Sequence, residues 1–298
     1  MKVSIAKLLH TGSREGPELS QGPDDMERGL EKLLERLGCS VAESRTARLT
    51  SEEERHYGAW HRLGLASHHL CEIVSDQRKR GLFNIGLLSN CNGLMGMLAG
   101  LQRSGASWKP LRVGLVYCDA HGDFNTPETT LSGMLGGMPV AISTGLCLSR
   151  LRMECGLDLA LPTKYVTMAG LRDVDPLEQE LMDRTDVEKI TVDEIRRVSP
   201  SIDLDMQRLS SITDLIYVHV DLDILDPAEV SGHGLTVADG PTSKELAEAL
   251  TEMFEHPKAV GFGVASYPAG RDEDGMTLKA VHNLIEGVVR GIKNRRIG

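Results

Sequence analysis

Short, almost wholly apolar runs recur along the chain, and most are followed by a stretch in which apolar residues return every three or four positions. The first pattern reads as strands buried on both faces, the second as amphipathic helices. Strands are expected at Val3–Leu9, Val41–Leu49, Leu82–Leu88, Val113–Cys118, Lys164–Gly170, Val187–Val192, Leu215–Val220 and Val260–Ala265. Helices are expected at Pro23–Leu37, where Met26, Leu30, Leu33, Leu34 and Leu37 form an apolar face, at Gly93–Leu101, from Pro176, at Thr242–Phe254 and at Leu278–Lys293. A further long helix should run from a cap at Ser51, with Glu52, Glu53 and Glu54 in its first turn, to about Arg80. About eight strands, mostly joined by helices, imply an α/β fold whose parallel sheet is covered on both faces and carries its site at the strands' carboxyl ends. The rhythm continues over residues 1–298 without a linker, repeat or low-complexity tract, so a single domain is expected.

Composition narrows the classes. A formal net charge of −10 argues against a nucleic-acid or anionic-membrane partner and leaves a small-molecule substrate as the expectation. No apolar run approaches the roughly 18 residues of a membrane span. Lys7 interrupts the first apolar stretch, which reads as a strand rather than a secretory signal. Six cysteines without paired spacing are expected to be reduced, and the cytoplasm is the expected compartment.

The chemistry gathers at two strand ends. Cys118-Asp119-Ala120-His121-Gly122-Asp123 follows the apolar run Val113–Tyr117, and His219-Val220-Asp221-Leu222-Asp223 closes another. In extended backbone alternate residues point the same way, so Asp119, His121 and Asp123 can converge, as can Asp221 and Asp223. Four crowded carboxylates repel one another unless cations join them, and two divalent ions would balance them. A mostly oxygen ligand set with one imidazole suits manganese better than a thiolate-rich zinc site. Either motif alone is also what a turn with solvated aspartates looks like; both together, each at a strand end, favour a metal site.

These residues resemble the ureohydrolases, the arginase and agmatinase family. Asp119-Ala120-His121-Gly122-Asp123-Phe124-Asn125-Thr126-Pro127-Glu128-Thr129 and Val220-Asp221-Leu222-Asp223-Ile224-Leu225-Asp226-Pro227 resemble two of its signatures, and Gly170-Leu171-Arg172-Asp173-Val174-Asp175-Pro176 a third. Gln21-Gly22-Pro23 before a helix is similar to its N-terminal segment. The resemblance implies a three-layer α/β/α fold with an eight-stranded parallel sheet, two Mn²⁺ ions and a homotrimer or homohexamer. It implies that Asp119 and Asp221 bridge the ions, that Asp123 binds the first, and that His121 and Asp223 bind the second. A water activated between the ions would attack an amidine or guanidine carbon, with Asp123 orienting it. Asn125 and Ser132 would hold a substrate α-carboxylate and Asp175 its α-amine, supported by Asp173.

The chain also departs from that pattern. In Leu88-Ser89-Asn90-Cys91-Asn92, Cys91 stands where the family has a metal-ligating His; it is either a core thiol, leaving the first metal short of a ligand, or a sulfur ligand. Gly136 stands where arginases carry a proton-shuttling His, and Met134 replaces an Asn. No carboxylate occurs between Val260 and Gly270, where the family has a Glu that holds the guanidinium. One branch, an amidinohydrolase acting on Nω-hydroxy-L-arginine in cycloserine biosynthesis, is similar to this chain in its Cys, in Leu135-Gly136-Gly137-Met138 and in a His before the strand aspartates, here His219; that branch keeps the Glu. His219 is a candidate partner for a metal ligand or else a satisfied core residue.

Two functions are therefore open: hydrolysis of a linear C–N bond in an arginine-like guanidine or amidine (Nω-hydroxy-L-arginine, arginine, agmatine or another guanidino acid), or a catalytically impaired relative with a binding role. The helix histidines His56, His61, His68 and His69 have no carboxylate at ligand spacing in the sequence and are expected at the surface. Arg78-Lys79-Arg80 and Arg290–Arg296 read as solvated helix ends. Trp60 and Trp108 are too few to form a sugar or base platform.

Overall fold

The computed structural model describes residues 1–12, 21–106, 109–230 and 232–295. Trp108 and Arg296 lie outside them. Eight strands form one sheet: β1 (Lys2–Leu8), β2 (Ser40–Ala47), β3 (Phe83–Leu88), β4 (Val113–Cys118), β5 (Val166–Ala169), β6 (Glu188–Ile190), β7 (Leu215–Asp221) and β8 (Ala259–Ala265). Their order is β2-β1-β3-β8-β7-β4-β5-β6 and every pairing is parallel.

That order brings the chemistry together. The last two strands, β7 and β8, fill the gap between β3 and β4, so four segments far apart in sequence end side by side. In register, Cys118 lies beside Val220, and Ala265 beside both Asp221 and Leu88.

Alternate strand residues face opposite layers. Ile85, Val116 and Val218 pack toward α1 (Gly22–Glu27), α2 (Leu30–Arg36), α9 (Pro200–Ile212), α10 (Ser243–Glu255) and α11 (Met276–Asn294). Leu115, Tyr117 and Tyr217 pack toward α3 (Ala59–Lys79) and α4 (Leu94–Gln102). Shorter helices complete the connections: α5 (Pro139–Ser143), α6 (Ser149–Glu154), α7 (Pro176–Met182) and α8 (Val192–Arg196). The three-layer α/β/α arrangement expected from the strand and helix rhythm is present. None of the helices among the described residues is long and apolar enough to cross a membrane.

Several expected elements differ in detail. The helix over Pro23–Leu37 is two, because Gly29 takes a left-handed φ of 72° between them. The helix expected from Ser51 begins only at Ala59, after a single tight turn at Glu53–Arg55 and Gly58 at φ 102°. Thr50, not Ser51, caps that turn: its hydroxyl accepts from the Glu53 N–H at 3.2 Å, while Glu53 accepts from the Thr50 N–H at 2.7 Å. Helices α5, α6, α8 and α9 were not expected, although α9 carries a readable signal in Ser199-Pro200 followed by buried Ile202, Met206 and Leu209. The helix histidines do meet carboxylates across the fold: His61 pairs with Glu154 of α6, and His69 lies 3.0 Å from Glu53.

Candidate metal centre

At the carboxyl ends of β3, β4 and β7, and in the loop that follows β7, three overlapping groups of side chains bring their ligand atoms within 4.8 Å of one another: Cys91, Asp119 and Asp221; Asp119, His121 and Asp223; and Asp221, Asp223 and His233. Asp119, Asp221 and Asp223 each belong to two groups, so the three form one connected cluster. All three carboxylates are buried.

Local backbone explains how each residue arrives there. Asp119 is the first residue past β4, its N–H bound to the Ala169 carbonyl of β5 at 3.0 Å. His121 makes a single parallel bridge to Asp173, and its Nδ1 lies 3.0 Å from Asp223 and 3.4 Å from Asp119. Asp221 ends β7 and accepts from the Asp223 N–H at 3.0 Å as the chain turns. Arg172 clamps that turn, donating to the backbone carbonyls of Asp223, Val237 and Ala238.

Asp123 behaves differently. Its backbone turns left-handed at φ 47°, its carboxylate accepts from the Tyr117 hydroxyl, and it joins none of the three groups. The alternation argued from extended backbone therefore holds as far as His121, because the strand ends at Cys118. Asp123 still lines the same cavity of about 340 Å³ as Asp119, Asp221 and Asp223.

The electrostatics are those of a cation site. Burial first, then repulsion among the neighbouring carboxylates, holds Asp119 and Asp123 well above the usual carboxylate range; Asp221 is raised by burial and by Asp223. His121 is desolvated, but Asp119 and Asp223 more than offset this and raise it to about 11. Asp223 is also desolvated, yet its bond to His121 leaves it below its ordinary value. Asp119 and Asp223 share this imidazole but shift oppositely, and we place the ionised partner at Asp223, the nearer of the two. A single imidazolium against this many buried carboxylates leaves charge for divalent cations to balance.

Cys91 sits inside the cluster and is not a remote core thiol. Its Sγ donates to Asp221 Oδ2 at 2.7 Å and lies 3.9 Å from Asp119. Burial, and then the charges of Asp221, Asp123 and Asp119, hold it in the thiol form. His219 touches Cys91, with Nε2 to Sγ at 3.4 Å, rather than the aspartates. Its other nitrogen meets the Tyr217 hydroxyl at 3.1 Å, its ring stacks on Tyr117, and burial lowers it to about 3, so it is neutral. Room for Tyr217 comes from β8: a Cβ on Gly263 would lie 1.9 Å from the Tyr217 hydroxyl. If the sulfur weakens a hard-ion site, Cys91→His is expected to raise Mn²⁺ affinity about tenfold or more by isothermal titration; unchanged affinity would remove Cys91 from the ligand set.

The expected substrate residues line the same cavity. Asn125 Nδ2 donates to Asp175 Oδ2 at 3.0 Å, and Asn125 Oδ1 accepts from Thr129 at 2.8 Å. Ser132 lies on an exposed loop at the mouth, and Asp173 is exposed beside His121, 3.8 Å from Nε2.

Other residues of the site were not anticipated. Glu178 receives the N–H groups of Phe124 at 2.7 Å and Asp175 at 3.1 Å, tying the Asp119–Asn125 loop to α7. Its signal was present as the third residue after Asp175 in Asp175-Pro176-Leu177-Glu178. Gly122 makes space for it, since a Cβ there would lie 2.5 Å from the Glu178 carboxylate. Ser266, in left-handed backbone at φ 67°, donates to Asp221 at 2.5 Å. His233 and Ser266 sit in loops with no periodicity to read, so nothing local marked them.

Residues 94–289 match the profile described as the arginase family, well over half of the chain. The chain belongs to the arginase family. It is 28% identical to an arginase of Bacillus caldovelox over 80% of this chain and 81% of that protein. It is 31% identical to an N(omega)-hydroxy-L-arginine amidinohydrolase of Streptomyces lavendulae over 54% of this chain and 53% of that one. In structure it resembles an arginase from Bacillus subtilis with a TM-score of 0.84 at 22% identity, covering 97% of this chain and 98% of that chain. Family membership makes it an amidinohydrolase, a ureohydrolase-type enzyme that hydrolyses C–N bonds of guanidino groups.

Proposed function

We propose that the cluster holds two Mn²⁺ ions and that the chain hydrolyses the Cζ–Nε bond joining the guanidino carbon to the side chain of an arginine-like amino acid, with Nω-hydroxy-L-arginine preferred over arginine. The observation that carries this is the pair of overlapping groups, Cys91 with Asp119 and Asp221 and His121 with Asp119 and Asp223, joined through Asp119. Divalent ions bound there supply a Lewis acid and a water of lowered pKa at neutral pH.

The chain's own residues supply the rest. Asp119 and Asp221 would help to hold both ions, Cys91 and Asp123 the first, and His121 and Asp223 the second. Tyr117 and Glu178 hold Asp123 and its loop in place, and His219 orients the Cys91 sulfur. Asn125 and Asp175, already hydrogen-bonded to each other, and Ser132 at the mouth take the α-carboxylate and α-amine ends, with Asp173 alongside. The absence of any carboxylate from Val260 to Gly270 disfavours a cationic guanidinium head and favours a less basic one. The family resemblance supports a homotrimer or homohexamer, and six free cysteines are consistent with a cytoplasmic enzyme.

Metal-loaded protein given L-arginine, Nω-hydroxy-L-arginine and agmatine is expected to release hydroxyurea from the hydroxylated amino acid fastest. Agmatine lacks the α-carboxylate, so a preference for it would overturn the roles of Asn125, Ser132 and Asp175. No release from any of the three, with metal bound, would make the chain an impaired relative.

A further inference from the structure

On the side of the cluster away from Asn125 and Asp175, the site opens into a second cavity of about 510 Å³. The two share Asn90, Met134, Gly136, Leu235 and Ser266, so they are continuous. His233 stands at the threshold. Its side chain is only 9% exposed, its Nε2 lies 3.9 Å from Asp221 Oδ1, and it groups with the carboxylates of Asp221 and Asp223.

The ring's proton position is decided by a backbone contact. His233 Nδ1 accepts the Leu235 N–H at 3.2 Å, so in the neutral ring the proton sits on Nε2. A nitrogen carrying that proton has no lone pair to offer a metal. It presents an N–H donor to the space between the cluster and the second cavity. Ser266, the nearest polar side chain of β8's end, already spends its hydroxyl hydrogen on Asp221. The wall that would receive a substrate's terminal nitrogen therefore holds a fixed donor and, from Val260 to Gly270, no carboxylate to accept.

A guanidinium head has only donors to set against that wall. A head bearing an oxygen on its terminal nitrogen has an acceptor, and N-hydroxylation also lowers the basicity of the guanidine. We propose that His233 determines specificity by donating Nε2–H to an acceptor atom on the terminal nitrogen of the substrate, an N-hydroxyguanidine being the simplest such head. This rests on the amidinohydrolase reading above and adds the residue that selects its head group. A donor facing a buried site discriminates strongly, because a substrate without the acceptor leaves it unpaired.

The test compares binding of L-arginine, Nω-methyl-L-arginine and Nω-hydroxy-L-arginine to Mn²⁺-loaded protein by isothermal titration, with metal per chain and turnover read in parallel. Nω-methyl-L-arginine matches the hydroxylated compound in size but lacks the acceptor. Wild type is expected to favour the hydroxylated ligand over the methylated one. His233→Leu should reduce that ratio about tenfold, the worth of one hydrogen bond. His233→Gln, which keeps an N–H donor, should retain most of the ratio, and metal content should be unchanged in both variants. A ratio unaffected by Leu, or lost equally in Gln, overturns the proposal, as does a drop in metal content, which would make His233 a ligand. Binding with the expected preference but without turnover would overturn the hydrolase reading and leave the role of His233 standing; turnover without the preference would do the reverse. Failure to bind any of the three overturns both.

Discussion

Asp221→Ala is expected to release both metal ions and lower kcat/KM by at least about 10³-fold, more than the 10–100-fold lost when a residue supporting a ligand is removed. Asp221 is the most connected acceptor of the cluster: it receives the Cys91 thiol, the Ser266 hydroxyl and the Asp223 N–H, and belongs to two of the ligand groups. Asp119→Ala should behave alike, for the same double membership. Misfolding is separated from ligand loss by the metal-free proteins. Burial and neighbouring charge raise Asp221 in the wild type, so its removal relieves repulsion and offsets part of the cost of its three orphaned donors, and the metal-free variant should still melt in a cooperative transition, as metal-free wild type does. Elemental analysis, steady-state kinetics and thermal melts check the three outcomes. Full activity with a normal metal content would end the proposed mechanism.

The second large effect is the response to Mn²⁺. Saturating the metal-free protein at about 100 times Kd should stabilise it by about 2.7 kcal/mol, a rise in Tm of about 4 °C for a chain of this size. At one fixed Mn²⁺ concentration the gain should be larger at pH 7.5 than at pH 5.5, because affinity rises with pH. Asp119, Asp123 and Asp221 have folded-state pKa values above their unfolded ones, and His121 is raised to about 11. Groups raised in this way favour the folded state fully below their unfolded pKa, and that contribution is lost as pH rises through the folded value. Asp223 has the opposite sign, but its window lies below the ordinary carboxylate range and outside the interval tested. Metal-free protein should thus lose stability between pH 5.5 and 7.5, while fewer protons remain for Mn²⁺ to displace. Melts with and without Mn²⁺ at both pH values measure this directly, and an equal or smaller gain at pH 7.5 would contradict it.

Much of this was legible in the residues themselves. Strands buried on both faces are continuous apolar runs, so β1, β3, β4, β7 and β8 could be read within a residue or two of their observed limits. The two aspartate motifs could be read because each directly follows such a run. Helix limits were less legible where a glycine at positive φ, at Gly29 or Gly58, interrupts an otherwise helical pattern. Short helices such as α5 and α8, of five residues each, lack the length for a periodic signal.

The sequence by itself determined the α/β architecture, the carboxylate-rich chemistry and the oddity at Cys91, because these depend on residue type and near-neighbour spacing. Tertiary structure decided what those residues meet. Insertion of β7 and β8 between β3 and β4 brings Cys91, Asp119, Asp221 and Ser266 to adjacent strand ends, although they come from four distant segments. The same packing aligns His219 with Cys91 rather than with the aspartates, turns Asp123 toward Tyr117, and seats His233 at the cluster from a loop with no pattern of its own. Contacts of that kind depend on strand order and loop path, which local spacing does not encode.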